Sequence, residues 1–437
     1  MRVRTPLVTA IAAGCLATAA LGVAGTTANA GPTEDTRTVE YFPDAHGAGR
    51  HAQVPTTAPE RIDAARKAPA RTPDATTVTP GQKTGASDGR LDLVIIGDGY
   101  TASQQADFHA DAQAKLDAIF AIEPYKSYQG LFNFWFVDAV SNQSGVSGDP
   151  TKNVVRDTAV SSYFFCSDTE RLLCVDEKKV DTYARQAPAS DIVFVISNST
   201  KYGGAGYSGL TSTAGHTGIA TMSSDNDLSY LIGAHELGHS IGRLADEYQY
   251  AGYGTYPGAE PAEPNTSKLT DGAMRAAQTK WYRWLGQSDP AGGTVGTYEG
   301  GGYYEYGIYR PTQNSIMRAL DTDVFNLPGR EAMIAGFYRA ADLLTPATPT
   351  TRTLDTGATL RVDLAPLPKG LSDVRVRWSV DGTEVPGAQG RTLKAGALKL
   401  GKGKHTVTAT ATDHTTALRD PGARAAATNS VSWTVAP

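Results

Sequence analysis

The sequence has few cysteines, little net charge and almost no long apolar run. Three cysteines among 437 residues are too few for a fold built on disulfides. A net charge of -5 excludes the broad positive field of a nucleic-acid-binding protein. A bundle of membrane helices is excluded because the one long apolar run lies at the N-terminus. With 40% hydrophobic residues the chain is not a disordered protein, and its length predicts two or three domains.

Residues 1–30 have the pattern of a signal peptide. Two arginines are followed by an apolar run from Leu7 to Ala24 and by the small-residue pattern Ala28-Asn29-Ala30. We expect cleavage after Ala30, a secreted, extracellular protein and no stable membrane anchor. The alternative is an N-terminal anchor.

Cleavage at that point removes one of the three cysteines. Cys166 and Cys174 remain, eight residues apart. In an oxidising compartment they are expected to form a disulfide that closes a small loop. Metal binding is the alternative, but no nearby Cys or His completes a sulfur-based zinc site.

The chain after residue 30 divides into three regions. Residues 31–88 are rich in Pro, Thr, Ala and charge, and are interpreted as a linker or pro-segment. Residues 89–345 follow, in which apolar runs predict strands and a helical spacing from Phe108 to Phe120 predicts a helix. These buried strands predict an α/β sheet covered on both faces. Their runs are Leu91 to Ile96, Phe132 to Val140 and Asp191 to Ile196.

Residues 346–437 show short alternating runs and no helical period. They predict a small all-β sandwich of the immunoglobulin type. This region has 12 basic and 7 acidic residues, whereas residues 89–345 have 19 basic and 30 acidic residues. The net positive charge of residues 346–437 has two interpretations. It belongs to an ordinary solvated surface, or it allows the sandwich to dock onto an anionic surface or onto the acidic domain itself.

The stretch His235-Glu236-Leu237-Gly238-His239 carries the chemistry. Histidines at i and i+4 lie on one face of a helix, about 40° and about 6 Å apart, and can bind one metal ion. Glu236 projects in an adjacent direction, where it can act as a general base on a water held by the metal. A turn after Gly242 would bring Asp246 or Glu247 back as a third ligand.

This stretch, followed by Leu244-Ala245-Asp246-Glu247-Tyr248, resembles the IgA-peptidase family of secreted bacterial zinc metallopeptidases, which are similar to metzincins. The resemblance covers residues 89–345. Supporting matches are Ile96 to Thr101, Asn198 to Gly206, Tyr309-Arg310-Pro311 and Ser315 to Arg318.

The resemblance implies a metzincin-like α/β domain with a twisted mixed sheet and an active-site helix. It also implies one catalytic zinc ion bound by His235 and His239, with Glu236 as the base. Met317 would lie in the tight turn beneath the zinc.

One position departs from the commonest metzincin pattern. Ala245 stands where the third ligand is usual, so we predict Asp246 as the ligand and keep Glu247 as the alternative. The residue that does not bind would support the site from behind. Tyrosines are candidates for the group that donates to the oxyanion: Tyr248, Tyr303, Tyr304 and Tyr309.

These observations predict a secreted zinc endopeptidase that acts on proteins or peptides, with no nucleic-acid partner. One alternative is a surface-binding or adhesion protein that has lost activity. A second is a zinc amidase acting on cell-wall peptides. A serine hydrolase is disfavoured because the glycine spacing around Ser208 does not fit a nucleophile elbow.

Overall fold

The computed structural model describes residues 35–63 and 76–437. The signal-peptide prediction for residues 1–30 lies outside these ranges. Within them, no helix combines the length and the apolar character needed to cross a membrane.

The main element is a mixed sheet of eight strands. Its strands are β1 (Thr36–Tyr41), β2 (Arg50–Pro55), β3 (Val78–Gln82), β4 (Leu91–Asp98), β5 (Phe132–Val137), β6 (Ile192–Ser197), β7 (Gly204–Tyr207) and β8 (Ile219–Ser223). They are arranged in the order β2-β1-β7-β8-β6-β4-β5-β3. The central strands β5, β4, β6 and β8 are parallel, and the strands towards both edges are antiparallel.

Both faces of this sheet are covered, as the continuous apolar runs predict. Alternate residues of each central strand enter two different cores: Leu93 and Phe134 lie in one, and Val94 and Trp135 in the other. Cys166 and Cys174 lie in the second core and form the predicted disulfide. The helices are α1 (Glu60–Asp63), α2 (Gln105–Ile119), α3 (Tyr125–Tyr128), α4 (Glu177–Ala184), α5 (Tyr230–Gly242), α6 (Asp271–Ala277), α7 (Leu327–Ala340) and α8 (Pro421–Ala426).

The described parts of residues 31–88, which the sequence analysis interprets as a linker or pro-segment, contain three strands. The hairpin β1–β2 extends one edge of the sheet, and β3 pairs with β5 at the other edge. Most residues of these strands are exposed or half-buried, so their sequences carry no buried apolar run. In β1 only Val39 and Glu40 are buried.

The C-terminal region consists of small antiparallel sheets, preceded by the ribbon β9 (Tyr298–Gly301) and β10 (Tyr304–Arg310). A three-stranded sheet has the order β11-β12-β15 and a four-stranded sheet the order β14-β13-β16-β17. Trp378 and Trp433 stack with their ring centroids 5.7 Å apart. The strands are β11 (Leu344–Pro346), β12 (Thr359–Leu364), β13 (Val374–Val380), β14 (Thr383–Gln389), β15 (Thr392–Lys394), β16 (His405–Asp413) and β17 (Thr428–Val435).

These sheets share one apolar core with the helical face of the main sheet. Asp413 lies at the junction and is fully buried. Its Oδ2 accepts hydrogen bonds from the hydroxyls of Tyr128 and Tyr338, each at 2.8 Å. Its Oδ1 accepts from the backbone N–H groups of Asp373 and Thr415 at 2.7 and 3.0 Å. The carboxylate therefore joins the C-terminal sheets to α3 and α7.

We expect Asp413→Ala to destabilise the protein by on the order of 3 kcal/mol, because four donors, three of them on buried residues, lose their acceptor. Thermal melting would measure the loss. The matched control is Asp363→Ala, which removes an exposed carboxylate of β12. Equal melting temperatures for the two variants would show that the Asp413 junction does not stabilise the fold.

Candidate metal centre

Helix α5 presents His235 and His239 on one buried face. The Nδ1–H of His235 donates to the Ile316 carbonyl at 2.9 Å, and that of His239 donates to the Leu244 carbonyl at 2.7 Å. A carbonyl can only accept, so each Nδ1 carries a hydrogen and each Nε2 is left to face the site. The two Nε2 atoms lie 2.9 Å apart.

The chain reverses directly after this helix. α5 ends at Gly242, as expected, but the residue in the left-handed conformation is Arg243, with φ 55°. The N–H groups of Arg243 and Leu244 bond back to the carbonyls of His239 and Gly238, each at 3.1 Å. At its other end the residue before the helix is Ser229, whose side chain makes no capping hydrogen bond.

This reversal brings Asp246, and not Glu247, to the histidines. Asp246 Oδ1 lies 3.2 Å from His235 Nε2 and 3.4 Å from His239 Nε2. Glu247 points away and accepts hydrogen bonds from Asn265, Ser315 and Asn326 at 2.6 to 3.1 Å. Its side chain is buried behind the site, and burial raises its pKa.

A fourth group, which the sequence did not indicate, reaches the same point. Glu40 of β1 places its Oε2 3.2 Å from the Nε2 atoms of both His235 and His239. Its Oε1 accepts a hydrogen bond from the Tyr248 hydroxyl at 2.7 Å. Glu40 is only 5% exposed. No spacing links residue 40 to the histidine motif, so only the sheet brings them together.

The four groups fit a tetrahedral cation. Their ligand atoms lie within 4.8 Å of one another. A tetrahedral ion with bonds of about 2.0–2.1 Å holds its ligand atoms about 3.3 Å apart, close to the distances given above. Asp246 Oδ1 accepts no hydrogen bond from any donor in the described parts of the chain. The donor set consists of two imidazole lone pairs and two carboxylates, and one of these carboxylates, Asp246, has the unpartnered buried oxygen. A divalent cation satisfies such a set.

The electrostatics point the same way. Burial lowers the pKa of His235, but Glu40 and Asp246 outweigh it and raise that pKa to about 10. Burial and Asp246 would raise the pKa of Glu40, yet the histidines bring it to about 2. The pKa of Asp246 is also held well below its ordinary value, despite burial, by the two histidines. The buried carboxylates thus require compensating positive charge, from imidazolium or from a bound cation.

Glu236 lies beside this centre but outside the ligand group. It is 6% exposed, and its Oε1 has no hydrogen-bond partner among the described residues. Burial, followed by the charge of Glu40, raises its pKa to about 8. Gly206 of β7 makes room for the carboxyl group: a Cβ at that position would lie 1.8 Å from Glu236 Cδ.

Met317 lies beneath the centre in a buried segment. Its sulfur would be 2.6 Å from a Cβ at Gly238, so the glycine between the two histidines allows this close approach. The Met317 carbonyl accepts from the N–H of Glu247 at 2.7 Å. The neighbouring Ile316 carbonyl holds His235, so this segment supports both halves of the site.

Two tyrosines contact the ligand candidates. Tyr248 donates to Glu40, as described, and the hydroxyl of Tyr303 donates to Asp246 Oδ2 at 2.7 Å. Burial raises the pKa of both hydroxyls well above the ordinary value, so they remain neutral donors. Tyr309 lies in β10, and in the described structure its hydroxyl makes no hydrogen bond to the four groups. Its backbone pairs with Ser267 instead.

A comparison with known proteins agrees with this geometry. The family model described as IgA Peptidase M64 matches residues 80–292 and 287–337, and together these matches span more than half of the chain. They contain every residue of the centre except Glu40. No curated protein matches the sequence.

We expect Asp246→Ala to weaken zinc binding by more than about 100-fold, because it removes a ligand. The matched variant Glu247→Ala should weaken it less, by about 10-fold, because Glu247 supports the site only from behind. Competition with a chromogenic chelator would give both affinities. Equal zinc affinities in the two variants would contradict the assignment of Asp246.

Proposed function

The chain belongs to the IgA peptidase M64 family, and we propose that it is a secreted zinc-dependent endopeptidase that hydrolyses peptide bonds in proteins. The observation that carries this proposal is the convergence of His235, His239 and Asp246 on one point beside the buried carboxyl of Glu236. Membership of a peptidase family supports the reaction class, and the site supports the metal.

His235, His239 and Asp246 would hold the ion through two imidazole nitrogens and one carboxylate oxygen. That set suits zinc. When bound, zinc acts as a Lewis acid and lowers the pKa of water in its open position.

Glu236 is the proposed general base. Its free Oε1 can accept a proton from the attacking water and later return it to the leaving amine. The low polarity around this carboxyl favours the protonated form, which helps it to hold the proton between these steps. Gly206, which has no side chain, leaves room for this carboxyl group against β7.

Tyr248 and Tyr303 are the proposed donors to the oxygen of the scissile carbonyl. Their hydroxyls already donate to carboxylate oxygens at the centre. Donors fixed in a buried site stabilise a developing oxyanion more strongly than water does. The role of Tyr309 stays a prediction, without a contact that supports it.

The finer structural expectations are also proposals. We propose a metzincin-like catalytic domain over residues 89–345, with Met317 in the tight turn beneath the zinc, and an immunoglobulin-like sandwich over residues 346–437. The disulfide between Cys166 and Cys174 supports secretion, because such bonds persist in oxidising compartments. Docking of the sandwich onto an anionic surface stays a prediction.

Casein digestion by the zinc-loaded protein tests the proposed activity. The assay is run on the chain from residue 31 onward. Since Glu40 lies in the site, the Glu40→Ala variant is assayed beside the wild type. We expect cleavage that a chelator abolishes. Glu236→Gln should keep its zinc and slow cleavage by about 100- to 10,000-fold, because it removes the base.

The matched control is Glu170→Gln, which changes an exposed glutamate of the disulfide loop. Cleavage that persists after chelation would overturn the zinc mechanism. If neither the wild type nor Glu40→Ala cleaves protein, the result would favour the surface-binding or adhesion alternative. Digestion of purified peptidoglycan, but not of casein, would indicate an amidase.

A further inference from the structure

We infer that residues 35–63 are an inhibitory pro-segment in which Glu40 is a fourth metal ligand that closes the centre to substrate. This inference rests on the proposed function of a metal-dependent peptidase. It concerns the part of the chain that lies before the family match.

The first argument is the number of ligands. A catalytic zinc site has three protein ligands and an open position, whereas a site with four protein ligands is closed. Glu40 Oε2 is as close to each histidine nitrogen as Asp246 Oδ1 is to that of His235, at 3.2 Å. With Glu40 in place, the chain itself supplies all four ligands of the tetrahedron.

The second argument is the position of β1 on the sheet. β1 pairs antiparallel with β7, with Glu40 opposite Gly206. Without the hairpin, β7 would be the edge of the sheet, next to the centre. An unpaired edge binds an extended peptide by adding it as a strand. Because Gly206 lies against Glu236, a substrate on this edge would cross the catalytic carboxyl where Glu40 now lies.

The third argument is the way the segment is attached. Its only register pair with β7 is the one between Glu40 and Gly206. Further hydrogen bonds join the segment to elements outside the central strands: Arg37 Nε donates to Glu177 Oε1 at 2.9 Å, the Ser167 hydroxyl donates to the Gln53 carbonyl at 2.6 Å, and the buried N–H of Ala58 donates to Asp176 Oδ2 at 3.2 Å. Release of the hairpin would leave β4, β5, β6, β7 and β8 paired.

The fourth argument is the apolar contact that the segment makes. Phe42 packs edge-on against the ring of His235, with centroids 4.9 Å apart. The other large buried apolar side chains of the segment are Val39, Val54 and Ile62. Phe42 belongs to the first core and the other three to the second, so most of both cores comes from the rest of the chain.

The test uses the zinc-loaded chain from residue 31 onward and the variant Glu40→Ala. The matched control is Glu60→Ala, an exposed glutamate of the same segment. One readout is independent of activity: the affinity for a peptide hydroxamate, which needs an open metal position, measured by calorimetry. We expect Glu40→Ala to bind the probe at least about 10-fold more tightly than the wild type and Glu60→Ala, with zinc retained.

Casein cleavage is the second readout and should rise in the same variant. Arg37→Ala serves as a second variant, since it leaves all four ligands intact. Loss of its partly exposed ion pair should raise probe affinity by about 2- to 5-fold. Melting curves show whether each variant is folded.

The outcomes separate the two proposals. Unchanged or weaker probe binding by folded Glu40→Ala, or loss of its zinc, would overturn the proposed inhibitory role of residues 35–63, even if casein is cleaved. Tighter probe binding without any peptide cleavage would support the role of Glu40 and contradict the peptidase.

Discussion

Two imidazole nitrogens that face each other at 2.9 Å inside the protein are the constraint on which the rest of the site depends. Each Nδ1–H is fixed by a backbone carbonyl, from Ile316 and from Leu244, so neither ring can turn its lone pair away. Two buried carboxylates complete the group. Such an arrangement is unfavourable without compensating positive charge, which protonation of the imidazoles or a bound cation can supply.

The surrounding fold serves to maintain this arrangement. Gly238 admits Met317 under the helix, and Arg243 reverses the chain so that Asp246 returns to the histidines. Glu247 then anchors the returning chain to Asn265 and Asn326, which explains why two acidic residues stand together with different tasks. The C-terminal sheets stiffen α7 through Asp413, on the same apolar core that supports α5.

The sequence predicted the parts of the molecule whose determinants are local. Buried runs located β4, β5 and β6, and the helical spacing from Phe108 to Phe120 located α2. The alternating runs located β13, β16 and β17. Edge strands were missed, because most residues of β1 and β2 are exposed or half-buried and these strands satisfy their backbone by pairing rather than by burying apolar side chains.

What the sequence alone determined is the chemistry that short spacing dictates: two histidines one helical turn apart, a carboxyl beside them, and an acidic pair after a turn. The sequence favoured Asp246 over Glu247, but only the tertiary structure decides which of the two reaches the histidines, because a difference of one residue after a chain reversal depends on the geometry of the reversal. The tertiary structure alone also brings Glu40, 195 residues before His235, to the histidines, since pairing at a sheet edge is set by the whole fold.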